Sequence, residues 1–290
     1  MKRDGSILSL CIIILIGFSF SLISLPQLSA GAEEVDVEEI LAAAAVYCER
    51  LESAVLYFVC REEITEKIDF SKDIALILQV RRQRGSWMRT QVPRRRVKNT
   101  YVYDFQFIRR DNQINETRAL LEENGKKKSE KDASLKTQRF IFKNVVLGPV
   151  GILGKRWQPY HDYKIIGEDE VDGLPAIILN AVPKPGHNMD FLFGKVWIDK
   201  KNFDILKVEW SPERIGNFAT FERRGLKYES EPSITLISEF LVEKNGIRFP
   251  NYFFIEEVYI DKKGKKFIRS ETEVTYKEFK FFTVEVEVKH

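Results

Sequence analysis

Three histidines and three cysteines in 290 residues leave little with which to build a metal centre or a histidine-based catalytic site. His161 and His187 stand in unrelated stretches and His290 is the last residue, so neither zinc-ligand spacing nor a triad is present. A phosphate-binding loop is missing too. "GPVGILGKR", Gly148 to Arg156, displaces the required glycine and puts Arg156 where Ser or Thr would meet magnesium, so it reads as an ordinary loop. "GEDEVDG", Gly167 to Gly173, lacks calcium-loop spacing and reads as a strand connection holding its acids in water. These absences assign no cofactor, no metal and no catalytic residue, and an enzyme is not expected.

A dominant charge of one sign is also lacking: 46 basic against 43 acidic side chains give a net charge of only +3. That balance argues against a nucleic-acid binder. Two basic clusters interrupt it locally. "GKKKSEKDASLK", Gly125 to Lys136, has acids within it and no aromatic to stack a base, and reads as a solvated hairpin loop. "RRQRGSWMRTQVPRRR", Arg81 to Arg96, reads as solvated strand ends, with anionic lipid head groups as the alternative.

Long apolar runs are absent except for one, Ile7 to Leu25. Lys2 and Arg3 precede it, and Pro26 and the small residues Ser29, Ala30, Gly31 and Ala32 follow it. This is the tripartite pattern of a secretory signal, residues 1–32, and the chain is expected to be exported. An uncleaved anchor is the alternative, because the run nears the roughly 20 residues that span a bilayer. Cys11 lies inside the run, not at its end, and is no lipid-attachment site. After cleavage no integral span is left. Residues 33–290 contain no Pro/Ser/Gly linker and read as one domain.

What is present is one helix followed by strands. In "DVEEILAAAAVYCERLE", Asp36 to Glu52, Asp36 is a plausible N-cap, Glu38 and Glu39 favour the first turn, and Ile40, Leu41, Ala44, Tyr47, Cys48 and Leu51 form one apolar face. The period then becomes two. Strands are predicted in "AVLYFVCREEI", "DIALILQVRRQ", "NTYVYDFQFIRR", "NQINETRALLEE", "LKTQRFIFKNV", "HDYKIIGEDEV", "PAIILNAVP", "GKVWIDKKNFDILKVEW", "ITLISEFLVEK", "IRFPNYFFIEEVYID", "KKFIRSETEVTYKEFKF" and "TVEVEVK". Turn signals such as Asn245-Gly246 make sequence neighbours antiparallel neighbours. Val284, Val286 and Val288 alternate with Glu285, Glu287 and Lys289, and Val196, Ile198, Leu206, Val208 and Trp210 share a face that excludes Trp197. One wet face and one bulky apolar face suit a sheet curled round its own interior better than a transmembrane barrel.

Glu62 and Glu66 share one face of a strand, and with no acid/base partner in sight they are expected in solvent. Cys48 and Cys60 would lie about 18 Å apart on one continuous helix, too far for a disulfide. The helix-to-strand switch near Ser53 to Leu56 supplies a reversal, so a Cys48–Cys60 bond is expected, with two separate buried thiols as the alternative.

"YKIIGEDEVDGLPAIILNAVPKP" followed by "GKVWIDKKNFDILKVEW" resembles the strand grammar of the periplasmic lipoprotein-carrier superfamily, LolA/LolB-like and including RseB-type sensor domains. The matching residues are Gly167, Glu168, Val171, Gly173, Pro183, Trp197, Ile198, Asp199 and Leu206. The resemblance implies a mainly β (α+β) fold. It would be a large curved antiparallel half-barrel with an N-terminal helix on its concave face, binding acyl chains or a lipidated protein and catalysing nothing. An envelope interaction or stress-sensor module that meets a protein partner is the alternative. On such a sheet the alternation puts Tyr103, Phe105, Val196, Ile198, Val208, Trp210, Val274 and Tyr276 on the ligand-lining face.

Overall fold

The first helix does give way to a strand. In the computed structural model, which describes residues 36–54, 57–84, 95–110, 113–143, 145–186, 192–214 and 218–282, helix α1 spans Val37–Ala54 and strand β1 follows at Tyr57–Asp69. Asp36 caps α1, its Oδ1 accepting the Glu38 N–H at 3.2 Å. Next come α2 (Ser71–Arg84), β2 (Arg96–Arg110), β3 (Gln113–Glu123), β4 (Lys126–Glu130), α3 (Val150–Leu153), β5 (His161–Val171) and β6 (Leu174–Pro183). The chain continues through β7 (Gly194–Asp199), β8 (Ile205–Trp210), α4 (Phe218–Tyr228), β9 (Ser230–Glu239), β10 (Val242–Lys244), β11 (Ile247–Phe249), β12 (Tyr252–Asp261) and β13 (Lys266–Phe281). All described residues belong to one unit, Val35–His290. The predicted leader, the "TVEVEVK" alternation and Gly85 to Arg94 of the first basic cluster lie outside the described residues.

Eleven strands form one antiparallel sheet in the order β4-β3-β2-β1-β13-β12-β9-β8-β7-β6-β5, an open half-barrel that stops at β4 and β5 without closing. The first and last long strands meet at its centre, where Ile64 faces Val274 across β1 and β13. β10 and β11 form a separate two-stranded ribbon. Its concave face holds a single core cluster into which α1 places Ile40, Ala44, Tyr47, Cys48 and Leu51. Of these, Ile40 and Leu51, both fully buried, contribute about 1.5–3 kcal/mol each. Tyr47 also fixes the helix to the ribbon, its hydroxyl donating to the Arg248 carbonyl at 2.8 Å. No helix among the described residues is long and apolar enough to cross a membrane.

Five expectations are corrected. "DIALILQVRRQ" is not a strand but the body of α2: Ile74, Ile77 and Val80 recur at three, and Asp69 Oδ1 accepts the Ser71 N–H at 2.7 Å to start the helix. "LKTQRFIFKNV" joins no sheet among the described residues. Its described residues form an irregular strap across the concave face, with the Lys136, Gln138 and Arg139 N–H groups taken by Tyr103 and Glu66 side chains. "GPVGILGKR" contains the single helical turn α3, and "GKKKSEKDASLK" contains the short, fully exposed β4 after a tight Asn124-Gly125 turn. In the β7–β8 hairpin the register slips between Trp197 and Ile198, so Ile205 enters the main core. Leu206 turns to the outer face with Trp197, Val171 and Ala176. Trp197 on the side opposite Val196 and Ile198 is as the alternation predicts. Gly194, at φ +153, is required where β7 meets β8, because a Cβ there would lie 2.1 Å from the Glu209 carbonyl oxygen.

Candidate functional site

All eight residues predicted to line the concave face converge in one cluster. Tyr103, Phe105, Val196, Ile198, Val208, Val274 and Tyr276 are buried in it, and Trp210 packs against it half-buried. Cross-strand pairing explains the convergence: Val196 faces Val208 and Gly194 faces Trp210, while Tyr103 and Tyr276 flank β1 at the same position. The Trp210 indole N–H donates to Ser238 Oγ at 2.8 Å, and its ring lies so close over Gly148 that a Cβ there would meet it at 2.8 Å. The cover over this face is α1, the strap with Phe140 and Phe142, α3 and Phe221 of α4. Phe140 stacks on Phe221 with centroids 5.8 Å apart, and Phe142 meets Phe253 at 5.3 Å.

The concave face is not uniformly apolar. Glu62 and Glu66, expected in solvent, are both 0 % exposed, because β1 turns Phe58, Cys60, Glu62, Ile64, Glu66 and Ile68 inward together. Glu62 is gripped bidentately by Arg118, Nε at 2.6 Å and Nη2 at 3.0 Å, with the guanidinium 4.5 Å from the Phe105 ring centroid. Glu66 holds the strap. Its Oε1 accepts the Gln138 and Arg139 N–H groups at 2.8 and 2.9 Å, and its Oε2 accepts the Asn99 amide at 3.1 Å.

Further along the face Glu257, also 0 % exposed, is met by arginines from three elements. Arg139 of the strap donates to Oε2 at 2.9 Å, Arg224 of α4 bonds Oε1, and Nη1 of Arg269 on β13 lies 3.9 Å from Oε2. Tyr259 OH at 2.7 Å and Ser270 Oγ at 3.0 Å complete the shell. Arg269 is also tied to Asp73 of α2 at 2.8 Å, and Tyr228 of α4 donates to the same Asp73 at 2.7 Å. Burial by itself would raise the Glu257 carboxyl, but Arg139, the Tyr259 hydrogen bond, Arg224 and Arg269 together hold it below the ordinary carboxylate value. Burial lowers Arg139, and the positive charges of Arg269 and Arg224 add to that against the pull of Glu257. Sequence reading missed this cluster. The available signal was a charged residue at an inward position of an alternating strand, as Glu257 is between Ile255 and Tyr259.

The expected disulfide is not formed: Cys48 and Cys60 are both buried free thiols. They are directed to different surroundings, Cys48 beside Glu52, Glu49 and Tyr163, and Cys60 beside Glu62, Arg118 and Tyr276. Burial, then the charges of Glu52 and Glu49, push the Cys48 thiol up to about 12; burial, then Glu62, push Cys60 above the usual thiol range. No group of three or more potential metal-ligating side chains occurs among the described residues.

No family model matches the chain, and no curated protein does. Among solved structures it is similar to a DUF1329 family protein from Desulfovibrio piger, with 10% identity over 84% of this chain and 92% of that one and a TM-score of 0.39. It is likewise similar to a LolA superfamily protein from Nitrosomonas europaea, with 12% identity over 87% and 96% and a TM-score of 0.39. A third similar structure is MucB in complex with MucA(peri), with 10% identity over 86% and 100% and a TM-score of 0.23.

Proposed function

We propose that the chain is an exported, non-catalytic envelope protein of the periplasm, released from residues 1–32, that binds acyl chains or a lipidated protein on the concave face of its half-barrel. One observation carries this reading. The eight alternating residues lie in one apolar cluster covered by helices, a strap and the short β10–β11 ribbon, so the cover is made of separate pieces that can be displaced. A chain seated there gains about 0.8 kcal/mol for each methylene removed from water, about 10 kcal/mol for a dozen, and that gain offsets the ordering cost of binding. The cover closes the face in this structure, and ligand binding requires part of it to move. Native mass spectrometry of the purified protein should then find acyl-chain ligands. In a fluorescence displacement assay Val208→Glu, on the concave face, should lose binding while Lys207→Glu, on the outer face, retains it. A protein that carries no lipid and displaces no probe refutes the reading.

A second reading, an envelope interaction or stress-sensor module, is favoured by the open sheet. β5 has no further strand beyond it among the described residues, and its outer backbone groups can accept a partner strand. Failure of every acyl probe together with retained secretion would move the assignment to this reading.

A further inference from the structure

The charged half of the concave face has more donors than its own acceptors use. Both oxygens of Glu257 are occupied, Oε1 by Arg224 and Tyr259 and Oε2 by Arg139 and Ser270. Tyr228 and Asp73 take Nε and Nη2 of Arg269. Arg139 Nε, Arg269 Nη1 and Thr272 Oγ1 are nevertheless buried with no hydrogen-bond partner among the described residues. Arg139 and Arg269 both meet Glu257, and a spare buried N–H on each is unusual, because a buried N–H without an acceptor loses its hydration and gains nothing in return. Arg269 is aimed here by a bulge: Glu257 faces Ser270 and Val258 faces Ile268, which leaves Arg269 unpaired and turned inward.

This cluster is continuous with the apolar half. Ile255 and Phe253 lie two and four residues along β12 from Glu257, roughly 7 and 13 Å away, and Val274 faces Phe253. Phe140, which follows Arg139, stacks on Phe221. Oxygens carrying negative charge are what guanidinium forks with spare N–H groups accommodate.

We propose that Arg139, Arg224 and Arg269 seat the oxyanion headgroup, carboxylate or phosphate, of an amphiphile whose chain runs along Ile255, Phe253 and Val274. The inference rests on the acyl-binding reading and adds the chemistry of the head. It is tested on the full-length protein by displacing a bound fluorescent fatty acid with palmitate, hexadecyl phosphate or hexadecanol. Inorganic phosphate alone is measured by thermal shift. The two anions should compete at least tenfold better than hexadecanol, and whichever competes better identifies the headgroup. In Arg139→Gln, and separately in Arg224→Gln, that gap should close while hexadecanol affinity is unchanged, which also shows that the fold and the chain site are intact. Equal competition by all three probes in the native protein overturns the headgroup site and leaves the acyl reading standing, as does a gap that survives in both variants. If no amphiphile competes, both fall together. Stabilisation by phosphate alone, lost in Arg139→Gln and without any amphiphile binding, assigns the cluster to a free anion and overturns the amphiphile.

Discussion

Breaking the Glu62–Arg118 pair should produce two penalties that differ in how they respond to pH. The pair is bidentate, with Arg118 Nε and Nη2 at 2.6 and 3.0 Å from the two carboxylate oxygens, and the side chains are 8 % and 0 % exposed. Removing one partner of such a pair costs about 3–5 kcal/mol, because the other charge is left buried. In Glu62→Gln the orphan is a guanidinium that cannot lose its proton, and its remaining acid is Glu116 at 3.9 Å. Its penalty should therefore change little between pH 7 and 5. In Arg118→Met the orphan is a carboxylate, which can escape its charge by taking a proton. At pH 7 that protonation costs about 1.36 kcal/mol for each pH unit above the ordinary carboxylate value near 4.3, roughly 3.7 kcal/mol. At pH 5 only about 1 kcal/mol of it remains. The double change Glu62→Leu/Arg118→Met should sit near the native stability at both pH values. Urea unfolding of the four proteins at pH 7 and pH 5, each variant compared with the native chain at the same pH, measures this. The reasoning is refuted if both single variants cost under about 1 kcal/mol, or if the Arg118→Met penalty is the same at both pH values.

Cys48 and Cys60 should react with a thiol reagent within seconds in unfolded, unreduced protein and only slowly in the native protein at pH 8; a single intact disulfide in the unfolded chain would contradict the structure. Because the folded Cys48 thiol is raised to about 12, its contribution is fully present below the unfolded value near 8.5 and is lost as pH rises towards 12. Replacing Glu66 with Ala should release the strap, since two backbone N–H groups lose a charged acceptor worth about 1.5–3 kcal/mol each. Amide exchange at Gln138 and Arg139 should then quicken roughly 100-fold with β1 unaffected, and unchanged exchange there would refute the anchoring role. Intact-mass measurement of protein from its native host should give a chain starting near Glu33, and a mass retaining residues 1–32 would favour the anchor alternative.

The strand faces were legible because alternation is a local property. Val196, Val208 and Trp210 could be assigned to one face from the hairpin alone, and they share it in the structure. Leu206 could not, because one slipped residue between β7 and β8 reverses its direction without a trace in the hydrophobic pattern. α2 was misread as a strand since its apolar residues crowd together and periodicity alone does not separate a short buried strand from a helix. The strap failed for a different reason: Phe140 and Phe142 do point inward, but what holds their backbone is Glu66, 72 residues earlier for Gln138, and no sequence spacing reports such a partner. The arginine cluster around Glu257 is distributed over the strap, α4 and β13, so its members become neighbours only through the fold.

The unclosed sheet also bears on self-assembly. Its two outer strands are unlike: β4 carries Lys126, Lys127 and Lys128 in succession, whereas β5 ends with Glu168, Asp169 and Glu170, all exposed. Like edges of two copies repel, which disfavours symmetric pairing through either one. Unlike edges attract, and that contact is head-to-tail, with no symmetry to stop it from growing into a polymer. Two features oppose such growth. β4 is only 5 residues long, and the register beside it shifts between Leu120 and Glu122, so the lysine edge presents a short, uneven rail to an incoming strand. Salt at physiological strength, with a screening length of about 8 Å, weakens what attraction is left, so the molecule should disperse best when its buffer is not dilute.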